Sequence, residues 1–280
     1  MVHKKILYSS ILSVFLFVSS VNAESLSFSS GVTAYAQGDY AEARRLFHKS
    51  AEQGDADAQT MLGWMYLEGN GASQNFLEAA KWYRKAAEQG NARAQIALGR
   101  MYHFGKGVPE NFTEAAKLYR KAAEQRHAVA QFILGQMYHF GQGVPQSYQE
   151  ATKWYIQAAE QGNAQAQGQL GGMYSRGQGV PQNFSEAVKW SRKAAEQGEA
   201  YAQAGLGFMY YDGEGVSKNF VMSYMFAALS AAQGSETGIK LRDLVLKHLT
   251  GQQIAEAQRM ATEWSIGTPL PSDQDFKTWP

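Results

Sequence analysis

Cysteine is absent from all 280 residues, which excludes disulfides, thiolate metal sites, a cysteine nucleophile and a lipidated cysteine behind a leader. Stability has to come from burial alone. An excess of either charge is also missing, since 26 basic residues stand against 25 acidic ones. Long apolar runs are missing too, apart from one at the start. His3-Lys4-Lys5 precedes the run Ile6 to Val18, and Val21-Asn22-Ala23 follows with small residues, the order of an export signal. Cleavage is expected after Ala23, giving a mature chain from Glu24. An uncleaved anchor is opposed by a run shorter than the roughly 20 residues that cross a bilayer, so no stable membrane span is expected once the signal is removed. Losing Lys4 and Lys5 leaves 24 basic against 25 acidic residues, a net charge of −1, which argues against a nucleic-acid partner. The chain is expected to be exported, to the periplasm or beyond.

Catalytic patterns are lacking as well. No Gly-x-Ser-x-Gly or His-Glu-x-x-His occurs, and Gly105-Lys106-Gly107 lies between two helical runs rather than after a strand, so it reads as a turn and not a phosphate loop. The sequons at Asn111 and Asn183 read as helix caps.

What is present is repetition. Gly63-Trp64-Met65-Tyr66 returns from Gly99, Gly135, Gly171 and Gly207, each 36 residues on, the signature of a repeat array. Apolar residues Ala94, Leu98, Met101 and Tyr102 fall at steps of three and four, as do Phe112, Ala115, Ala116, Tyr119, Ala122 and Ala123, so each unit holds two helices, from about 92 to 104 and from about 112 to 125 in the second. Gly69, Gly105, Gly141, Gly177 and Gly213 stand where left-handed caps belong. Asn75/Glu78, Asn111/Glu114, Ser147/Glu150, Asn183/Glu186 and Asp39/Glu42 have capping-box spacing. Glycine inside the first helices costs about 0.5 to 1 kcal/mol against alanine, and its recurrence implies a close helix approach. Arg126 replaces the glycine that closes the other second helices.

The units begin near Asp55, Asn91, His127, Asn163 and Glu199. The organisation expected is a signal at 1–23, a divergent unit at 24–54, five repeats over 55–234, two capping helices over 235–264 (Gly238 to His248 and Gln252 to Trp264), and an extended tail from 265 to 280. In that tail, Phe276 and Trp279 either pack back or meet a partner. In the first unit, Tyr35 to Ala43 resembles the helix-turn-helix of a tetratricopeptide repeat.

The shared pattern Ala-x-Ala-Gln-x-x-Leu-Gly-x-Met-Tyr-x-x-Gly-x-Gly-Val-Pro-x-Asn-Phe-x-Glu-Ala, continuing to Lys-Ala-Ala-Glu-Gln-Gly, resembles the Sel1-like repeat, a relative of the tetratricopeptide repeat. The resemblance implies an all-α solenoid with a right-handed superhelix, whose concave face binds proteins or peptides. For exported bacterial members it implies adaptor roles in the envelope or toward host proteins. Cysteine-rich relatives with β-lactam activity are no guide here, because this chain has no cysteine.

Positions that differ between units are free to read a ligand, whereas shared ones build the stack. The candidates on the first helices are Trp64, Leu67, Arg100, His103, Gln136, His139, Ser175, Arg176, Phe208 and Tyr211. His103 and His139 are equivalent positions about a helix diameter, roughly 10 Å, apart, too far to share a metal bound near 2 Å. No catalytic residue, metal or cofactor is expected, and the partner expected is a protein or peptide from the envelope or host. Trp82, Trp154 and Trp190 read as core rather than a ladder of sugar platforms. The competing reading is an enzyme or enzyme accessory acting on peptidoglycan or β-lactams.

Overall fold

The computed structural model describes residues 23–271. The expected signal before Ala23, together with Phe276 and Trp279, lies outside the described residues. Within them every regular element is helical. The chain falls into two units, Met1–Asn111 and Phe112–Pro280.

The first unit contains α1 (Ala23–Ala36), α2 (Tyr40–Glu52), α3 (Ala56–Glu68), α4 (Phe76–Glu88) and α5 (Ala92–Phe104). The second contains α6 (Phe112–Glu124), α7 (Ala128–Phe140), α8 (Tyr148–Glu160), α9 (Ala164–Arg176), α10 (Phe184–Glu196), α11 (Ala200–Asp212) and α12 (Phe220–Ala232). It closes with α13 (Glu236–Val245), a 3-10 turn Leu246–His248 and α14 (Gly251–Glu263). Helices pair within a repeat, as α3 with α4 and α9 with α10, and each second helix packs on the first helix of the next repeat, as α4 on α5 and α8 on α9. This is the consecutive helix-pair packing of a Sel1- and tetratricopeptide-like solenoid.

The local chemistry explains the helix limits. Gly69, Gly105, Gly141, Gly177 and Gly213 take φ between +63° and +80°, a region costly to any residue with a Cβ. The second glycine of each turn is needed for space. A methyl on Gly71 or Gly107 would strike the backbone carbonyl of Tyr40 or Phe76, at the start of the preceding repeat's second helix, and Gly143 meets Phe112 in the same way.

The capping boxes are half formed. Asn75, Ser147 and Asn183 each accept from the backbone N–H three residues on, at Glu78, Glu150 and Glu186. The cap's own N–H, however, donates to a first-helix tyrosine carbonyl: Asn75 to Tyr66, Asn111 to Tyr102, Ser147 to Tyr138 and Asn183 to Tyr174. That carbonyl lies in the last turn of its helix and lacks an intrahelical partner. The acids are therefore released to pair with lysine one turn on, as Glu78 with Lys81 at 2.6 Å and Glu186 with Lys189 at 2.9 Å.

The glycines inside the first helices face the neighbouring helix closely, Gly63 and Gly135 against aromatic rings, Gly171 against Ser191 and Gly207 against Leu241. A Cβ on Gly63 would lie 2.7 Å from the Tyr83 ring, and one on Gly135 would lie 2.7 Å from the Tyr155 ring. Burial pushes both tyrosine hydroxyls well above their usual range. Trp82, Trp154 and Trp190 are 8%, 7% and 9% exposed, in keeping with core.

Consecutive repeats are also tied by buried glutamines. Gln59, Gln95, Gln131, Gln167 and Gln203 are buried, and each donates its amide to a carbonyl near the end of the preceding second helix, at Ala51, Ala87, Ala123, Ala159 and Ala195. The oxygens of Gln59, Gln131, Gln167 and Gln203 accept from Gln89, Gln161, Gln197 and Gln233 of the following turn. Each of these four amides thus satisfies both of its polar ends inside the stack.

Candidate partner-binding surface

The candidate residues sit in the last two turns of the first helices. Residues three apart share a helix face, and this places Trp64 with Leu67, Arg100 with His103, Gln136 with His139, and Phe208 with Tyr211. Around them Leu62, Met65, Leu98, Met101, Leu134, Met137, Leu206 and Met209 are buried. The same helix therefore sends its shared residues inward and its variable ones toward solvent.

Within the first unit, Arg100 is exposed, and Trp64, Leu67 and His103 are half-buried. Trp64 packs on Tyr35 at 5.0 Å between ring centroids, so it also fastens α3 to α1. The Leu67 carbonyl accepts from the Gln74 amide at 2.8 Å. His103 lies against the Phe104 ring at 4.6 Å.

Within the second unit, His139 sits 4.7 Å from Phe140 and edge-on to Tyr148 at 5.2 Å. Its Nδ1 is buried without a hydrogen bond. Burial, and after it the Arg176 guanidinium, hold the imidazole below its ordinary pKa, so its charged form is disfavoured. Gln136 and Ser175 are half-buried, and the Ser175 carbonyl accepts from Gln182 at 2.8 Å. Arg176 is exposed and reaches Gln178 at 2.9 Å and the Tyr201 hydroxyl at 3.4 Å. Phe208 is exposed, whereas Tyr211 is engaged by the cap: its hydroxyl meets His248 Nε2 at 3.2 Å, and the two rings lie 5.6 Å apart.

Two residues escaped the sequence reading. Phe104 and Phe140 end their helices 61% and 63% exposed, beside His103 and His139. The repeated His-Phe-Gly at 103–105 and 139–141 was the available signal, but helical periodicity alone does not say which side of the last turn a side chain takes. An exposed aromatic beside a half-buried imidazole offers stacking and a single hydrogen-bonding nitrogen to a peptide.

The family model of the Sel1 repeat matches six stretches, at residues 27–55, 56–91, 92–127, 128–163, 164–199 and 200–235, taking in the divergent first unit. A solved Sel1 repeat protein from Oxalobacter formigenes is 33% identical, with a TM-score of 0.75, over 84% of this chain and 99% of that one. A protective antigen present in uropathogenic Escherichia coli strains and displaying an SLR fold is 28% identical, with a TM-score of 0.52, over 86% of this chain and 68% of that one. No curated protein matches the chain. Sel1 repeats are protein–protein interaction scaffolds, generally without enzymatic activity. With its helix pairs, glycine-stopped turns and six matched units, the chain belongs to the Sel1 repeat family.

Proposed function

We propose that this protein is an exported, non-enzymatic adaptor that reads a peptide or protein with the variable positions of its first helices, on the face the family resemblance makes concave. The observation that carries this reading is the division within those helices, where shared Leu and Met residues are buried while Arg100, Arg176 and Phe208 reach solvent. The order of charge, apolar run and small residues before Glu24 supports export, as does similarity to a protein described as a protective antigen. The partner is then an envelope or host protein.

The test is affinity capture with the mature chain as bait beside the variant carrying Arg100→Ala and His103→Ala. Both changes are near the surface, where substitutions usually stay within about 0.5 kcal/mol. A partner retained by the parent and lost by the folded variant supports the reading; equal retention removes the first-helix surface from it. Turnover of muropeptides or a chromogenic β-lactam would overturn the non-enzymatic part. Mass spectrometry of exported protein should show Glu24 as its first residue, and Met1 on cytoplasmic protein would refute export.

A further inference from the structure

The chain carries its own example of an extended segment bound to a repeat. After α14 the residues 265–271 run along α10. The Gly267 N–H donates to the Glu196 carbonyl at 2.8 Å, and the Leu270 N–H to the Glu196 carboxylate at 3.4 Å. Arg192 donates to the carbonyls of Leu270 and Pro271 at 2.9 and 3.0 Å and touches the Tyr210 hydroxyl at 3.4 Å. The Leu270 side chain is 5% exposed and joins the cluster that includes Tyr210 and Tyr224. Ile266 covers Gly198 so closely that an added Cβ would lie 2.8 Å from its Cδ1. Backbone hydrogen bonds with one buried apolar anchor are how extended peptides are commonly held.

One repeat earlier the same place is open. A groove of about 550 Å³ is lined by Ala159, Glu160 and Gly162 at the end of α8, Gln167 of α9, and Trp190, Lys193, Glu196 and Gln197 of α10 and its turn, with Gly267 of the tail on its rim and the Glu196 carboxylate already accepting from the tail's Leu270 N–H. Glu160 and Gly162 are the residues 36 positions before Glu196 and Gly198. Two differences set what this groove would prefer. Lys193 stands where the tail's own seat has Leu229, and it lies 4.6 Å over the Trp190 ring, placing a cation on the groove wall. Ile156 stands where the tail's seat has Arg192, removing the carbonyl-binding guanidinium.

We propose that the groove between α8 and α10 docks an extended partner peptide with the tail's small–x–Pro–apolar pattern and an acidic side chain opposite Lys193. Glu160 would take the peptide N–H groups as Glu196 takes those of Gly267 and Leu270, and the open face of Gly162 would receive an apolar side chain as Gly198 receives Ile266. This surface is separate from the first-helix positions above.

The probes are two fluorescein-labelled peptides, Ser-Ile-Gly-Thr-Pro-Leu-Pro, which copies residues 265–271, and its T268D version. They are titrated by fluorescence anisotropy against the mature chain with its own tail in place. Saturable binding is expected for both, tighter for the acidic peptide and with that advantage shrinking in salt. Glu160→Ala and Lys193→Glu, both at exposed positions, should each weaken the acidic peptide about fivefold or more, the scale of a lost charge-assisted hydrogen bond. Arg192→Ala, which loosens the resident tail, should leave the affinity unchanged. No saturation by about 1 mM, indifference to Glu160→Ala and Lys193→Glu, or loss with Arg192→Ala, which would mean displacement of the tail from its own seat, each overturns the proposal. The variant with Arg100→Ala and His103→Ala should bind the peptides normally, so the first-helix reading and this one fail separately.

Discussion

Arg126 is the only non-glycine with a positive φ among the described residues, +64°, in the turn where Gly90, Gly162, Gly198 and Gly234 hold +82° to +90°. The left-handed region costs a side-chain-bearing residue about 1 to 2 kcal/mol, so the turn is kept at the expense of local strain. Its neighbour His127 starts α7 without a side-chain cap, where Asn91 and Asn163 accept from the backbone N–H three residues on. Replacing both, Arg126→Gly with His127→Asn, should raise stability by about 1 to 2 kcal/mol, read as a higher urea midpoint at unchanged slope. An unchanged or lower midpoint would show that neither strain nor the cap is limiting. The Arg126 substitution was legible in the sequence because the glycine it replaces recurs in every other unit. His139 was legible as a candidate but not in its protonation behaviour, which depends on burial and on Arg176 from another helix. Its folded pKa lies below the unfolded value near 6.5, so the unfolded chain binds the proton more readily. That contribution to stability is complete above about pH 6.5 and is lost as pH falls toward the folded pKa. His139→Gln should flatten the stability profile below about pH 6.5, and a profile that superimposes on the parent's would refute the shift.

Elements in this chain stop and start where glycine, proline and capping residues place them. The expected helices over 92–104 and 112–125 are observed as Ala92–Phe104 and Phe112–Glu124, and the expected helix from Gly238 to His248 as α13 with its 3-10 turn. These limits were readable because they depend on residues within one turn. The glutamine ties were not, although the glutamine itself is part of the repeated Ala-x-Ala-Gln. Its partners sit 8 residues before it and 30 after it, a relation no local pattern encodes. Gln167→Leu keeps similar bulk but takes one hydrogen bond from the Ala159 carbonyl, which still accepts from the Gly162 N–H, and one from the exposed Gln197 amide, which still donates to the Lys193 carbonyl. Each lost intramolecular hydrogen bond costs about 0.5 to 1.5 kcal/mol, so for the two bonds a loss of about 1 to 3 kcal/mol is expected in chemical denaturation; a neutral change would mean that water takes their place at the junction. Gly135→Leu acts on the other helix contact, driving a branched side chain into the Tyr155 ring. It should cost at least the roughly 1 to 3 kcal/mol typical of overpacking, and a stable, cooperative variant would show that the interval between α7 and α8 can widen.

A repeat array is stabilised largely by neighbour contacts, so its end must be covered. In the second unit that task falls to α12, α13 and α14. The α12 sequence carries no charged side chain, and Val221, Met222, Tyr224, Met225 and Phe226 are all buried. A second helix of an interior repeat, such as α10, instead exposes Lys189 and Lys193. Leu241 of α13 packs toward Gly207, and Gln258 of α14 reaches the Tyr224 hydroxyl at 3.3 Å. The departure of the last unit from the repeat was visible in the sequence as Met222 at the place of a capping glutamate. That the tail packs back was one of the two outcomes open for it, but its seat on α10 was not readable, because Glu196 and Leu270 are 74 residues apart. Ending the chain after Gln233 removes α13, α14 and the tail together and leaves the apolar side of α12 facing water. An exposed patch beyond a few hundred Å² drives association. The shortened protein should therefore elute as larger species in size-exclusion chromatography with light scattering, and it should melt below the parent. A monomeric truncation with the parent's melting temperature would mean that α12 needs no cover and that the helices after it serve some purpose other than closing the stack.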